Sequence, residues 1–239
     1  MDTNFLKKNL IAHRGLHDKD IPENSIPAFK KAMNKNYIIE LDTHLLKDGN
    51  VVVFHDDNLK RMTGIDNKIK DKTYDEIKDL KLLNTIEHIP LLEDVLKLVD
   101  GKVPLLIELK YDTKVGLLED KILSILKSYK GLYVFQSFNP KSVLYLKKKI
   151  LNIPVGILVP NFKESKMNFI KKILLKIMIT FYMDKFDFVS ANYNVLNDKK
   201  VRKNYGKKLI LTWVIRNIND LAKYNNLCDN FIVENITNN

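Results

Sequence analysis

Tyr37-Ile38-Ile39-Glu40-Leu41-Asp42-Thr43-His44-Leu45-Leu46-Lys47-Asp48-Gly49-Asn50-Val51-Val52-Val53-Phe54-His55-Asp56 reads as an apolar run closing on two acids, a polar break, and a second apolar run closing on His-Asp. Glu40 and Asp42 stand two apart on the first predicted strand, so their side chains share one face and can jointly hold a hard divalent cation. The Asp48-Gly49 pair between the runs signals a hairpin. With Leu46 paired to Val51, antiparallel counting sets His55 opposite Asp42 and brings an imidazole beside the acids.

The same design appears upstream, where the short run Asn9 to Ala12 is followed by His13-Arg14. In parallel α/β proteins the carboxyl ends of strands form the functional face, so groups distant in sequence converge there. Two imidazoles, two carboxylates and a guanidinium within the first 55 positions suit hydrolytic chemistry.

Strand candidates continue along the chain with helical spacing between them: Asn9 to His13, Tyr37 to Asp42, Pro104 to Lys110, Tyr133 to Gln136, Val155 to Val159, Phe186 to Ser190, Lys208 to Trp213 and Asn230 to Glu234. The intervening helix candidates include Asn24 to Lys35, Leu91 to Val99, Val115 to Tyr129, Pro140 to Ile150, Met167 to Met183, Asp198 to Asn204 and Asn219 to Asn226. Eight alternating units predict an α/β fold with a parallel sheet closed into a TIM (β/α)8 barrel. The connection 57–90, with a helix near Tyr74 to Leu83, reads as a small insertion between the early strands and the following helix. The whole of 1–239 reads as one domain, since barrels run to about 250 residues and no Ser/Pro/Gly-rich linker interrupts the pattern.

The 40 basic and 29 acidic side chains leave a net charge of +11, which favours anionic partners in general: phosphates, nucleic acid or anionic lipid. No aromatic-rich basic motif supports specific nucleic-acid binding. Cys228 is the single cysteine and forms no intrachain disulfide; it reads as a small buried hydrophobe at the start of the last strand. Met1 to Lys8 lacks an apolar run of signal-peptide length, so a cytoplasmic protein is expected. Met167 to Met183 mixes Lys171, Lys172 and Lys176 with many apolar residues and is too short and too charged to span a bilayer. It reads either as a barrel helix with a solvated lysine face or as a peripheral contact with anionic membrane.

Several linked blocks carry a family resemblance. Ala12-His13-Arg14-Gly15, Pro22-Glu23-Asn24-Ser25, Glu40-Leu41-Asp42 and Val52-Val53-Phe54-His55-Asp56 resemble the signature of the glycerophosphodiester phosphodiesterases. Arg61-Met62-Thr63-Gly64, Ile89-Pro90-Leu91-Leu92-Glu93, Ile107-Glu108-Leu109-Lys110, Gln136-Ser137-Phe138 and Trp213 follow in that family's order. The resemblance implies a barrel in which Glu40, Asp42 and Glu108 bind Ca²⁺ or Mg²⁺, with Mn²⁺ a third candidate. It also implies that His13 and His55 act as acid and base and that Arg14 and Lys110 hold the phosphate. Two stretches depart from the pattern: the usual Trp-Thr-Val-Asn reads Trp213-Val214-Ile215-Arg216, and the late Thr-Asp reads Glu234-Asn235.

The implied reaction converts a small-molecule glycerophosphodiester to glycerol 3-phosphate and an alcohol. Two alternatives stay open at this point: a lysophospholipase D acting on an acylated diester, and a non-catalytic barrel binding anionic lipid. Glu108 and Lys110, taken alone, also read as a barrel-interior salt bridge. Trp213 reads as a wall for the glycerol moiety or as core packing. Asn24 is expected to N-cap the first helix, His17 to lie in the loop after Arg14, His44 on the outer hairpin and His88 at the surface.

Overall fold

The computed structural model describes residues 2–110, 114–165 and 167–236. Its strands are β1 (Ile11–Ala12), β2 (Ile38–Leu45), β3 (Val51–Val53), β4 (Leu105–Leu109), β5 (Tyr133–Ser137), β6 (Val155–Val159), β7 (Phe188–Asn192), β8 (Leu209–Ile215) and β9 (Asn230–Val233). The hydrogen-bonded order is β1-β9-β8-β7-β6-β5-β4-β2-β3, with β1 also paired to β2. With β3 set aside as an antiparallel hairpin strand, this is the connectivity of a (β/α)8 barrel, as the alternating pattern predicts.

The helices are α1 (Ile26–Asn34), α2 (Lys60–Thr63), α3 (Tyr74–Ile77), α4 (Leu92–Val99), α5 (Leu117–Leu126), α6 (Pro140–Lys149), α7 (Phe169–Phe181), α8 (Tyr193–Leu196), α9 (Lys199–Asn204) and α10 (Ile218–Tyr224). The chain divides into two compact units, Ala12–Tyr133 and Met1–Ile11 with Val134–Asn239.

In the unit Ala12–Tyr133, β2 is buried along nearly its whole length, without the alternation of a half-exposed strand, because parallel strands are covered on both faces. Its parallel partner β4 is set in register so that Asp42 lies beside Glu108. The turn after β1 is tight: Gly15 N–H donates to Ala12 O, Leu16 N–H to Ala28 O and Asn24 N–H to Arg14 O. Gly15 has a φ of 78°, and a Cβ there would stand 2.9 Å from the Ala28 backbone, so only glycine lets α1 approach so closely.

Two local expectations are corrected here. The N-cap of α1 is Ser25, whose side chain accepts from Ala28 N–H, while Asn24 takes a left-handed conformation with φ 54° and points elsewhere. The hairpin is one residue tighter than the simple count. Leu46 N–H donates to Asn50 O at 2.8 Å, and Gly49 takes the left-handed position with φ 82°, so Asn50 joins the ladder and the register becomes Thr43↔Val53. Phe54, not His55, therefore faces Asp42, donating its N–H to Asp42 O at 3.0 Å.

Segment 57–90 builds its own small core against the hairpin, with Leu59, Met62, Ile69, Ile77, Leu82 and Ile89 packed on Leu46, Val52 and Phe54. Its predicted longer helix is the single turn α3, joined to the hairpin loop where Tyr74 N–H donates to Asp48 Oδ2 at 2.8 Å.

The unit Met1–Ile11 with Val134–Asn239 carries β5 to β9 in parallel register, Phe135↔Val155, Ile157↔Val189, Ser190↔Leu211 and Leu211↔Asn230. Buried Asn230 ties the N-terminal segment to β9, donating its amide to Leu6 O and, at 2.7 Å, to Asn9 O. Cys228 is part-buried two residues before β9, its Sγ against Tyr224 O, and burial pushes its thiol up to about 12.

Candidate active site

The site is assembled in the unit Ala12–Tyr133, at the strand ends where the sequence places its polar blocks. Glu40 and Asp42 come from β2 and Glu108 from β4; all three are buried, and one carboxylate oxygen of each lies within 4.8 Å of the others. Two residues of spacing on β2 put Glu40 and Asp42 on one face, and the parallel register adds Glu108 from the side.

Two cations answer this charge. Lys110, just past β4, sets its Nζ 2.8 Å from Asp42 Oδ1 and 2.6 Å from Glu108 Oε1. Arg14, at φ 55°, presents its backbone N–H to Glu40 Oε2 at 2.9 Å and its Nε 3.4 Å from Asp42 Oδ2. A non-glycine residue held there stores roughly 1 to 3 kcal/mol of backbone strain, which the surrounding hydrogen bonds over-determine.

The electrostatics of the cluster are uneven. Burial alone would raise the Asp42 carboxyl, but Lys110, His55 and Arg14 outweigh it and hold that group far below the usual carboxylate range. Glu40 is driven the other way, well above its ordinary value, first by burial and then by the charges of Asp42 and Glu108. Glu108 is also raised, by burial that Lys110 offsets only in part. Burial would lower the Lys110 ammonium, yet Asp42 and Glu108 raise it and keep it charged. Burial and mutual repulsion thus raise Glu40 and Glu108 despite the neighbouring cations, a condition that an oxygen-liganded divalent cation would relieve.

His55 leaves the hairpin just after Val53, and its charge acts on both Asp42 and Glu108. The ladder register does not set it opposite Asp42, the position that the sequence count suggested. Its Nδ1 lies 2.6 Å from Asp56 Oδ1, and its carbonyl oxygen lies 3.1 Å from Nε2 of His44. His44 stands on the hairpin as expected, paired with Val52, and is fully buried there. His13 is half-buried at the end of β1, next to Arg14, as is His17 further along that loop, and His88 is exposed as expected.

Four further residues meet these groups. Asn24 donates its amide to Asp42 Oδ2 at 2.8 Å. Glu23 accepts from Arg14 Nη1 at 2.8 Å and from Arg61 Nη2 at 2.6 Å, and Arg61 Nε donates to Asp56 Oδ2 at 2.6 Å. A continuous chain, Arg14–Glu23–Arg61–Asp56–His55, therefore joins the two predicted site blocks. The only sequence signal for these residues was their membership of the quoted blocks; nothing in their spacing announced the contacts.

Trp213 lies on β8 in the other unit. Its Nε1 donates to Ser190 O at 2.9 Å, and its ring meets Phe138 edge-to-face at 5.6 Å. The two departures from the sequence pattern meet each other: Arg216 Nη2 donates to Glu234 Oε2 at 3.0 Å.

Known proteins resemble this chain in sequence and in fold. Residues 13–218 match the glycerophosphoryl diester phosphodiesterase family. A glycerophosphodiester phosphodiesterase of Caldanaerobacter subterraneus is 35% identical over 165 residues, covering 64% of this chain and 67% of that one. The Bacillus subtilis protein YhdW is 32% identical over 226 residues, covering 90% of this chain and 88% of its own. Among solved structures, a phosphodiesterase of Oleispira antarctica in complex with the product sn-glycerol-3-phosphate superimposes with a TM-score of 0.76 at 23% identity, covering 94% of this chain and 92% of that one.

Proposed function

From its place in the glycerophosphoryl diester phosphodiesterase family, to which the chain belongs, we propose that it hydrolyses glycerophosphodiesters to glycerol 3-phosphate and an alcohol. The observation that carries this reading is the buried convergence of Glu40, Asp42 and Glu108 with Lys110 and Arg14 at one set of strand ends.

A phosphodiester carries one negative charge, and attack at phosphorus builds more on the non-bridging oxygens. Glu40, Asp42 and Glu108 are the residues that would hold Ca²⁺ or Mg²⁺, a cation that, when bound, supplies electrostatic stabilisation of that charge. Arg14 and Lys110 hold the phosphate and offset the remainder. Both already face the acids, so substrate and acids share the same two cations.

His13 and His55 divide the proton transfers, one taking a proton from the nucleophile and the other giving one to the departing alkoxide. Asp56 accepts at His55 Nδ1 and holds the ring, which leaves Nε2 as the nitrogen for proton transfer. Asn24 keeps the Asp42 carboxylate oriented through the amide hydrogen bond.

The test is a coupled assay for glycerol 3-phosphate with glycerophosphocholine and glycerophosphoethanolamine, run beside an assay of choline release from a lysophosphatidylcholine, each with and without chelator. Release of glycerol 3-phosphate that stops in chelator and returns with Ca²⁺ or Mg²⁺ is expected. Turnover confined to the lysophospholipid would replace the reading with a lysophospholipase D, and no turnover on any of the three in excess cation would overturn catalysis.

A further inference from the structure

α7 turns its apolar side outward. Only Ile179 of its 13 residues is buried, whereas Phe169 and Phe181 are each 76% exposed, Ile170 69%, Ile177 58%, Leu174 55% and Ile173 40%. Projected at 3.6 residues per turn, these six exposed residues lie in one arc of roughly 140° that also takes in Thr180, with Ile179 on the opposite side. Lys176 falls at one margin of the arc, Lys171 lies beyond Met178 past the other, and half-buried Lys172 stands between Lys176 and Ile179. A barrel helix with a solvated face has the reverse layout, its polar residues in the middle of the exposed arc. A contiguous exposed apolar face of this kind marks a contact surface.

The charge around the face selects its occupant. Residues 141–176 hold nine lysines against the single acid Glu164. Lys148 and Lys149, at the end of the neighbouring α6, are exposed, and Leu151 just beyond is 77% exposed. Lys166 lies outside the described residues. A second copy docked by a twofold axis would set these like-charged margins against each other, whereas a bilayer with anionic headgroups accepts both parts at once. At about 1.5 Å per residue the helix is roughly 20 Å long, short of the ~30 Å hydrocarbon core. Among the described residues, no helix is long and apolar enough to cross a membrane.

We propose that α7 is an interfacial anchor that lies flat on an anionic lipid bilayer. Its apolar arc enters the boundary between headgroups and acyl chains while Lys171, Lys172 and Lys176 reach the lipid phosphates. The contact is independent of the reaction proposed above, and vesicle binding and diester turnover can succeed or fail separately.

Co-sedimentation of the full chain with vesicles of phosphatidylcholine alone, and of phosphatidylcholine with phosphatidylglycerol, tests it. Binding is expected to rise with phosphatidylglycerol and fall with salt. Each lysine near the surface contributes roughly fivefold, so the triple variant K171Q/K172Q/K176Q should lose on the order of 100-fold in partitioning. L174S/I177S should weaken binding at every salt concentration, with far-UV circular dichroism reporting the fold of both variants. Negligible binding to both vesicles at low salt overturns the proposal, as does equal binding to both or indifference to the triple lysine change. A concentration-dependent dimer lost in L174S/I177S, without vesicle binding, assigns the face to a second copy and overturns it too.

Discussion

The side-chain amide of Asn24 donates to Asp42 Oδ2 at 2.8 Å from a backbone held at φ 54°. Asparagine serves both needs, since it tolerates the left-handed conformation and carries the donor. The two needs can be separated. Asn24→Gly keeps the backbone but loses the amide, whereas Asn24→Ala loses both. Loss of a group that orients a metal-binding carboxylate typically costs 10- to 100-fold in affinity or activity, and both variants should fall by about that much. Glycine should leave the higher melting temperature of the two. Wild-type turnover in Asn24→Gly would remove the amide from the mechanism.

Lys110 pairs with Asp42 and Glu108 at 2.8 and 2.6 Å while itself nearly enclosed. Lys110→Met leaves two buried acids without their shared cation, and breaking a buried pair in this way costs about 3 to 5 kcal/mol. Denaturant unfolding in chelator measures the loss, which added Ca²⁺ should partly restore. An unchanged midpoint would mean that the ammonium does not balance these acids.

Glu40 gives the protein a pH signature. Its carboxyl is raised well above the ordinary 4.5, first by burial and then by Asp42 and Glu108. The folded chain therefore holds a proton there that the unfolded chain has released, so this contribution to stability is complete below 4.5 and is lost as pH rises through the folded value. Asp42 is shifted down and stays ionised across that window. In chelator, Glu40→Gln should melt above wild type near pH 8 and converge with it toward pH 4.5. Cation at about 100 times its Kd should stabilise wild type by roughly 2.7 kcal/mol and the variant by much less. A wild-type melting temperature that climbs with pH through this window in chelator would contradict the assignment.

Replacing either proton-transfer candidate should lower kcat by about 10²- to 10⁴-fold, the usual worth of general acid–base catalysis, with the fold intact. His13→Ala and His55→Ala are the direct variants. Asp56→Asn is the subtler one, because Asp56 touches His55 Nδ1 at 2.6 Å and Arg61 Nε at 2.6 Å. It should lower kcat more than it raises KM and alter the pH–rate profile. An unchanged profile with normal kcat would confine Asp56 to the surface ion-pair chain.

The barrel pattern was legible because it rests on local signals. Apolar runs such as Val155 to Val159 appear as strands with the same ends in the structure, and each is followed by helical spacing. Glu40 and Asp42 could be placed on one face because strand periodicity is a property of two adjacent residues. The charge surplus around α7 was equally plain.

Contacts between separate segments were decided elsewhere. The hairpin tightened by one residue because Asn50 joined the ladder once Gly49 took its left-handed turn, and that small change set Phe54 instead of His55 opposite Asp42. Asn24 passed the N-cap to Ser25 and turned to Asp42, 18 positions away. Arg216 and Glu234, read as separate departures, became an ion pair. The outward apolar arc of α7 was invisible to composition, since a helical pattern tells which residues share a side but not which side the rest of the chain covers. Sequence alone fixed which groups stand at each strand end, because that depends on local periodicity; only tertiary packing decided which of them touch and which face water, because those distances depend on how remote segments close on one another.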